Sequence, residues 1–276
     1  MARRMRRRAA TRRRLRWIVS SGAVVLFVAI AGLWGFVGVG SSGGRAVRAR
    51  KTPRGVATNS ATTSSSTTTT TTTLPPTPVP IQGGAVAPVI SRVPTPNPVV
   101  FFTVDDGMVR DPAVVDFLRE QHIPVTMFLL PNFLHEDPAY FEAIHALGAS
   151  VQDHTISHGD LRQLSAAAQH REICGVLGEY SFRFGAQPWL FRPPDGFYNQ
   201  SVTAVARRCG IRAVVMWRAT MNDGRLDVQG GGPLQPGDII LMHFRPDLRQ
   251  NLEVALNAAR AVGLQPAALE QYLTPA

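Results

Sequence analysis

From residue 99 onward the chain repeats one arrangement, a short and nearly unbroken apolar run followed by a longer stretch with helical spacing. The first run, Val99-Val100-Phe101-Phe102-Thr103-Val104, stops at Asp105-Asp106-Gly107. Further strands are expected over 124–130, 149–152, 189–191, 213–217 and 238–242, with helices over 112–121, 138–147, 165–182, 201–209 and 251–262. Apolar runs without polar alternation indicate strands covered on both faces, and helices between them indicate parallel pairing. About 178 residues are enough to bury such a core as one unit. An α/β barrel, perfect or incomplete, and an open doubly wound sheet both satisfy this spacing.

The polar residues fall at one end of these runs. Asp105 and Asp106 close the first strand, His154 follows the third, Arg192 follows 189–191, Asp223 follows the next, and His243 ends the last. Carboxyl ends of parallel strands form the face on which α/β folds assemble their sites. His154-Thr155-Ile156-Ser157-His158 places two imidazoles four residues apart. Alone such a pair is weak and reads equally as two solvated or core histidines. With Asp106 from another strand end it makes a set suited to zinc or another divalent ion, with positions left open for water. Asp105-Asp106-Gly107 also reads as an ordinary turn. Two adjacent carboxylates, however, can divide roles, one holding metal and the other taking a proton from the attacking water.

The N-terminal third is of another kind. Residues 1–98 carry 15 of the 29 basic residues and no acidic one, which leaves 14 basic against 19 acidic residues, a net of −5, in 99–276. The overall +10 therefore belongs to the tail, nucleic-acid binding by the folded part loses its main support, and no nucleic-acid partner is expected. Nine arginines lie within residues 1–16, followed by the uncharged stretch 17–39. As a helix those residues span about 35 Å, enough for a bilayer core of about 30 Å. Arginines on its N-terminal side predict a cytoplasmic tail 1–16, a membrane helix 17–39 and an extracytoplasmic remainder, so that the membrane is a partner. A cleaved signal peptide is the alternative, although its apolar region is normally only about 7–15 residues long. Residues 40–97, with the run Thr67–Thr73 and the Pro-rich 74–80, read as a disordered Ser/Thr/Pro linker to a domain over 98–276. Cys174 and Cys209 sit on successive expected helices in an oxidising compartment, which favours a disulfide over two separate buried thiols.

These motifs, in type and in order, resemble the polysaccharide deacetylases of carbohydrate esterase family 4, which carry the NodB-homology domain. The resemblance covers about residues 98–273. Thr103-Val104-Asp105-Asp106-Gly107 is similar to the family's first motif and His154-Thr155-Ile156-Ser157-His158 to its second. Phe191-Arg192-Pro193-Pro194-Asp195-Gly196, Asn222-Asp223 and Leu241-Met242-His243 resemble the third, fourth and fifth. The resemblance implies a distorted, incomplete (β/α) barrel and a hydrolase that removes N-acetyl groups from peptidoglycan or a chitin-like polysaccharide. It implies a divalent metal, zinc, held by Asp106, His154 and His158. Asp105 is then the general base with Arg192 as its charged partner, and His243 is the general acid oriented by Asp223. Asp195, through its backbone N–H, and Leu241 contribute to substrate binding.

Departures from the pattern touch the substrate groove more than the chemistry. Asp195 replaces a tyrosine, Gly224 replaces the tryptophan of an Asp-Trp pair, and Thr220 stands where many members have another aspartate. Three rivals remain at this level: a glycan-binding relative with weak or no turnover, an O-acetyl esterase, and an anchor whose head is merely structural.

Overall fold

The computed structural model describes Pro76 and residues 78–275. The expected cytoplasmic tail, membrane helix and most of the linker lie outside the described residues. Within them, no helix is long and apolar enough to cross a membrane.

The strands are β1 (Val79–Ile81), β2 (Val89–Ile90), β3 (Val99–Asp106), β4 (Val125–Leu129), β5 (Ser150–Asp153) and β6 (Leu190–Phe191). They continue as β7 (Ala213–Val215), β8 (Ala219–Asn222), β9 (Arg225–Val228), β10 (Ile239–His243), β11 (Gln265–Pro266) and β12 (Leu273–Pro275). The helices are α1 (Pro112–Gln121), α2 (Pro131–Glu136), α3 (Pro138–His145), α4 (Ala166–Cys174), α5 (Leu177–Phe184), α6 (Gln200–Arg208) and α7 (Leu248–Ala261).

One curled sheet runs in the order β2-β7-β6-β5-β4-β3-β10-β8-β9, with β11 alongside β3, and every pairing is parallel except the β8–β9 hairpin. Its end strands β2 and β9 do not pair with each other, so the barrel is open, as the sequence motifs imply. The register is set by buried faces. On β3, Val100, Phe102 and Val104 join the large core beneath the helices, whereas Val99 and Phe101 join a smaller core inside the curl. A strand alternates its faces with period two, so Thr103 and Asp105 share the inner face with Phe101. The same parity places Arg192 with Leu190 and places Leu241 and His243 with Ile239.

Helix starts follow local chemistry. Asp111 and Asp137 cap α1 and α3 ahead of a proline, and Ser165 and Asn199 cap α4 and α6. The expected helix over 165–182 is two helices, broken around Gly175. Ile156 packs so closely that a β-carbon on Gly175 would lie 2.6 Å from its Cδ1. Cys174 and Cys209 are joined by a disulfide that ties α4 to α6, with Cα atoms 5.3 Å apart.

The expected linker boundary at residue 97 is too late. β1 pairs with β12, β2 pairs with β7, and Val93 is fully buried, so the domain begins by about residue 79. The Pro-rich composition hid these strands, which are short, lie at edges and are held by long-range pairing. Below the curl, Tyr272 packs edge-on against Phe101 and Glu270 accepts hydrogen bonds from Thr126 and Ser150. This closes the end away from the polar residues.

Candidate active site

The carboxyl ends of β3, β5, β6 and β10, with the loop after β5, bring six of the expected side chains together: Asp105, Asp106, His154, His158, Arg192 and His243. Asp106 Oδ1 lies 3.5 Å from His154 Nε2 and 3.7 Å from His158 Nε2, and one ligand atom from each residue falls within 4.8 Å of the others. These separations are long for direct hydrogen bonds. They lie at, or a few tenths of an ångström beyond, the edge lengths of about 3.3–3.5 Å expected between ligands that stand about 2.0–2.1 Å from a central zinc. Asp106 Oδ1 is buried and, among the described residues, has no hydrogen-bond partner. The His154 Nδ1–H donates to the Arg192 carbonyl at 2.7 Å, which leaves the Nε2 lone pair facing the carboxylates. An orphaned carboxylate oxygen and two imidazole nitrogens converging on one point fit a divalent cation.

Strand parity alone would aim Asp106 at the helix side with Val104. A positive φ of 76° at the end of β3 breaks that alternation and re-aims it. Thr155 (φ 73°), His158 (φ 56°) and Asp195 (φ 54°) also lie in the left-handed region. Four of the six non-glycine residues with positive φ among the described residues thus belong to this one site. For the β-branched Thr155 the conformation is a genuine outlier, and strain of that kind concentrates where the surroundings over-determine it.

The surroundings of the histidine loop were not legible in the motifs. Thr155 N–H donates to Asp153 Oδ1 at 2.7 Å, and His158 N–H donates to Thr155 Oγ1 at 3.1 Å. Glu172 on α4 accepts from the N–H groups of Ile156 and Ser157 and from the Ser157 hydroxyl, at 2.9–3.1 Å. The only available signal for Glu172 was its place on a helix two residues before Cys174. Asp153 is fully buried, and burial pushes its carboxyl well above the usual range, with the Thr155 N–H working the other way.

Arg192 is completely buried. It donates from Nη1 to Asp105 Oδ1 at 2.7 Å and to Thr103 Oγ1 at 2.8 Å, from Nε to the Val215 carbonyl at 3.0 Å, and from Nη2 to the Met216 carbonyl at 3.3 Å. Its guanidinium stacks on Phe128 at 4.3 Å. Burial lowers its pKa and the Asp105 charge opposes that, so it remains a cation. Asp105 is thereby held on one oxygen while Oδ2 stands 3.8 Å from His154. Desolvation opposes ionisation of Asp106, but the two imidazoles and His243 outweigh it and keep this carboxyl below its usual value. Burial likewise works against charging His154, and Asp105 and Asp106 override it upward.

His243 stands level with Asp105 across the β3–β10 pairing. It is half-buried, its Nδ1 has no partner among the described residues, and burial holds its pKa below the usual imidazole value against the pull of Asp105 and Asp106. Leu241 and Asp195 line the cavity of about 80 Å³ that contains Asp105, Asp106, His154 and His243.

Asp223 does not join them. It is exposed, at φ 49°, in the Asp223-Gly224 turn of the β8–β9 hairpin, and its N–H donates to Asp247 Oδ2 at 2.8 Å. Gly224, also at positive φ, donates to Asn251 Oδ1 on α7. Asp-Gly with both residues at positive φ is a hairpin turn, so the expected orientation of His243 by Asp223 is corrected: the aspartate serves the turn. The same dipeptide was the signal for this hairpin.

With the geometry in hand, the comparisons agree on a class. A polysaccharide deacetylase family model matches residues 92–214. An uncharacterized protein of Streptomyces coelicolor is 42% identical over 200 residues, which cover 70% of this chain and 80% of that one. A peptidoglycan-N-acetylglucosamine deacetylase of Bacillus cereus is 27% identical over 175 residues, 60% of this chain and 81% of the other. In fold, the chain is similar to the chitin deacetylase of Colletotrichum lindemuthianum, with a TM-score of 0.60 at 18% identity, covering 69% of this chain and 93% of that one. The chain belongs to the polysaccharide deacetylase family, carbohydrate esterase family 4.

Proposed function

We propose that the chain is a zinc-dependent, membrane-tethered hydrolase, facing outward, that removes N-acetyl groups from a wall polysaccharide, with peptidoglycan as the principal substrate. The observation that carries this reading is the orphaned Asp106 Oδ1 beside His154 and His158, with the Arg192-bound Asp105 next to it and His243 opposite.

Asp106, His154 and His158 hold the ion, which when bound supplies positive charge to polarise the acetamide carbonyl and acidify water. Asp105 takes the proton of the attacking water. Arg192 fixes its rotamer through Oδ1 and leaves Oδ2 turned to the cavity. The backbone N–H of Asp195, a residue that lines the small cavity at a φ of 54°, stabilises the negative charge that develops on the acetamide oxygen. His243 delivers a proton to the departing amine from the opposite side of the cavity. Amines are poor leaving groups, so this step depends on the acid. Leu241 closes the apolar wall against which the acetyl methyl packs. The arginine-rich start and the uncharged span 17–39 support the tether.

The test is acetate release by the zinc-loaded, detergent-purified chain from peptidoglycan fragments and chitooligosaccharides. Release should cease on chelation and return with zinc. Absence of acetate from every glycan, or release indifferent to a chelator, would overturn the reading.

A further inference from the structure

A second set of metal-ligating side chains lies where α4 meets α6, outside the catalytic cavity. His170 and Cys174 are four residues apart on α4, so one face of that helix carries both. Cys209, at the end of α6, completes the set: a ring nitrogen and the two sulfurs fall within 4.8 Å of one another. In the bridged form the sulfurs are bonded to each other and neither is a thiolate. Reduced, the set offers two thiolates and one imidazole, soft donors that suit zinc with a fourth position left for water.

Three features prepare the reduced pair for a cation. His170 is exposed and both cysteines are half-buried, so reductant and metal can reach them. Cys174 is the last residue of α4 and Cys209 caps the C-terminus of α6, so the negative ends of two helices meet there. Arg171, Arg207 and Arg208 in the same last turns offset part of that field. Finally, the helices are held together without the bridge. Ser201 on α6 donates to Gln169 Oε1 on α4 at 2.7 Å, and Ile173, Val202 and Val205 are fully buried in one core. Two thiolates about 2.3 Å from a zinc ion stand about 3.8 Å apart. Side-chain rotation can provide that spacing from Cα atoms 5.3 Å apart.

We propose that His170, Cys174 and Cys209 form a second metal site, closed as the disulfide and opened by reduction, which takes zinc or a similar thiophilic divalent cation. A dithiol reductant passes two electrons to the bridge and itself becomes a disulfide. The Cys174–Cys209 bond breaks to two thiols, and metal binding releases their two protons. The site does not depend on the deacetylase reading.

The test uses the zinc-loaded, detergent-purified full chain, reduced anaerobically with a phosphine that competes weakly for metal, then desalted and returned to zinc. Metal analysis should find about one more zinc per chain than without reduction. With cobalt in place of zinc, reduction should bring up a thiolate-to-cobalt charge-transfer absorption, which the nitrogen and oxygen ligands of the catalytic site cannot give. Both gains should persist in His154→Ala and be absent from Cys209→Ser. His170→Ala, an exposed change that spares the core, should weaken cobalt binding to the reduced chain by about tenfold or more, through loss of one of three ligands. No further zinc, no charge-transfer band, or an affinity unchanged in His170→Ala overturns the proposal. A bridge that resists the phosphine in the folded chain, or loss of near-UV circular dichroism on reduction, overturns it equally, because the gate or the site then does not exist.

Discussion

The two sides of the active site are built to different standards. On the β3–β5–β6 side the general base, His154 and the histidine loop are tied by hydrogen bonds, and the buried oxygens left without one among the described residues are Asp106 Oδ1, which faces the histidines, and Asp153 Oδ2. Arg192 makes four hydrogen bonds, His154 is pinned through Nδ1, and Glu172 clamps the histidine loop with three more. On the β8–β10 side His243 stands with a buried, unpartnered Nδ1, and the nearby hairpin turn is committed to α7 instead. Metal ligands and a general base need fixed geometry to within fractions of an ångström. An acid that meets a leaving group late in the reaction can tolerate more freedom. The difference also has an electrostatic side: the fastened half holds a fixed cation and two carboxylates, whereas His243 must gain its proton against burial.

The largest expected effects fall on the fastened side. His154→Ala should lose both bound metal and turnover. Asp105→Asn should keep its metal and lose about 10²–10⁴-fold in kcat, because no carboxylate remains to take the proton. Metal analysis beside steady-state rates separates the two, and an Asp105→Asn enzyme of near wild-type rate would show that the base lies elsewhere.

On the looser side, His243→Ala should also fall by about 10²–10⁴-fold with metal retained, whereas Asp223→Asn should stay within about threefold of wild type. Equal losses in the two variants would mean that the hairpin reaches His243 after all.

Glu172→Ala tests whether the clamp matters to the metal. Removing the three hydrogen bonds should weaken zinc affinity by about 10–100-fold, as loss of outer-shell support commonly does, and leave the saturated rate nearly intact. Unchanged affinity by competition titration would reduce Glu172 to a surface contact.

Reducing the Cys174–Cys209 bridge should cost stability, about 2–4 kcal/mol for a loop of 35 residues, seen as a lower denaturation midpoint. Because α4 carries both Cys174 and Glu172, zinc affinity should decline slightly with it. The smallest effect concerns His243 itself. In the metal-free protein its ring should titrate below the ordinary imidazole value, and Arg245→Met should move it upward, since the Arg245 charge disfavours the imidazolium. NMR titration of the ring protons reads both, and an upward displacement in the wild type would contradict the burial argument.

Much of this arrangement was legible in the chain itself. Apolar runs ending in Asp105-Asp106, His154, Arg192 and His243 place each side chain at a strand's carboxyl end, because strand length and period are local properties. The alternation of Phe101, Thr103 and Asp105, and of Ile239, Leu241 and His243, even assigns them to one face. The hairpin at Asp223-Gly224 was also written locally, but its motif position suggested catalysis and masked the turn. The break at Gly175 and the early strands Val79–Ile81 and Val89–Ile90 were not legible. They depend on what packs against them: Ile156 in one case, Leu273 and Val214 in the others.

The sequence by itself therefore determined the class of fold, the strand-end residues and the chemistry they can perform, since hydrophobic period and residue type need no partners to be read. Only the tertiary structure decided which of those residues meet. Asp106 reaches the two histidines through a backbone conformation that strand parity opposes, and Asp223 turns away. Glu172 comes to hold a loop about 15 residues before it, and Arg245 comes to border two cavities. Contacts of that kind are settled by the burial of many distant side chains at once. No local pattern records them.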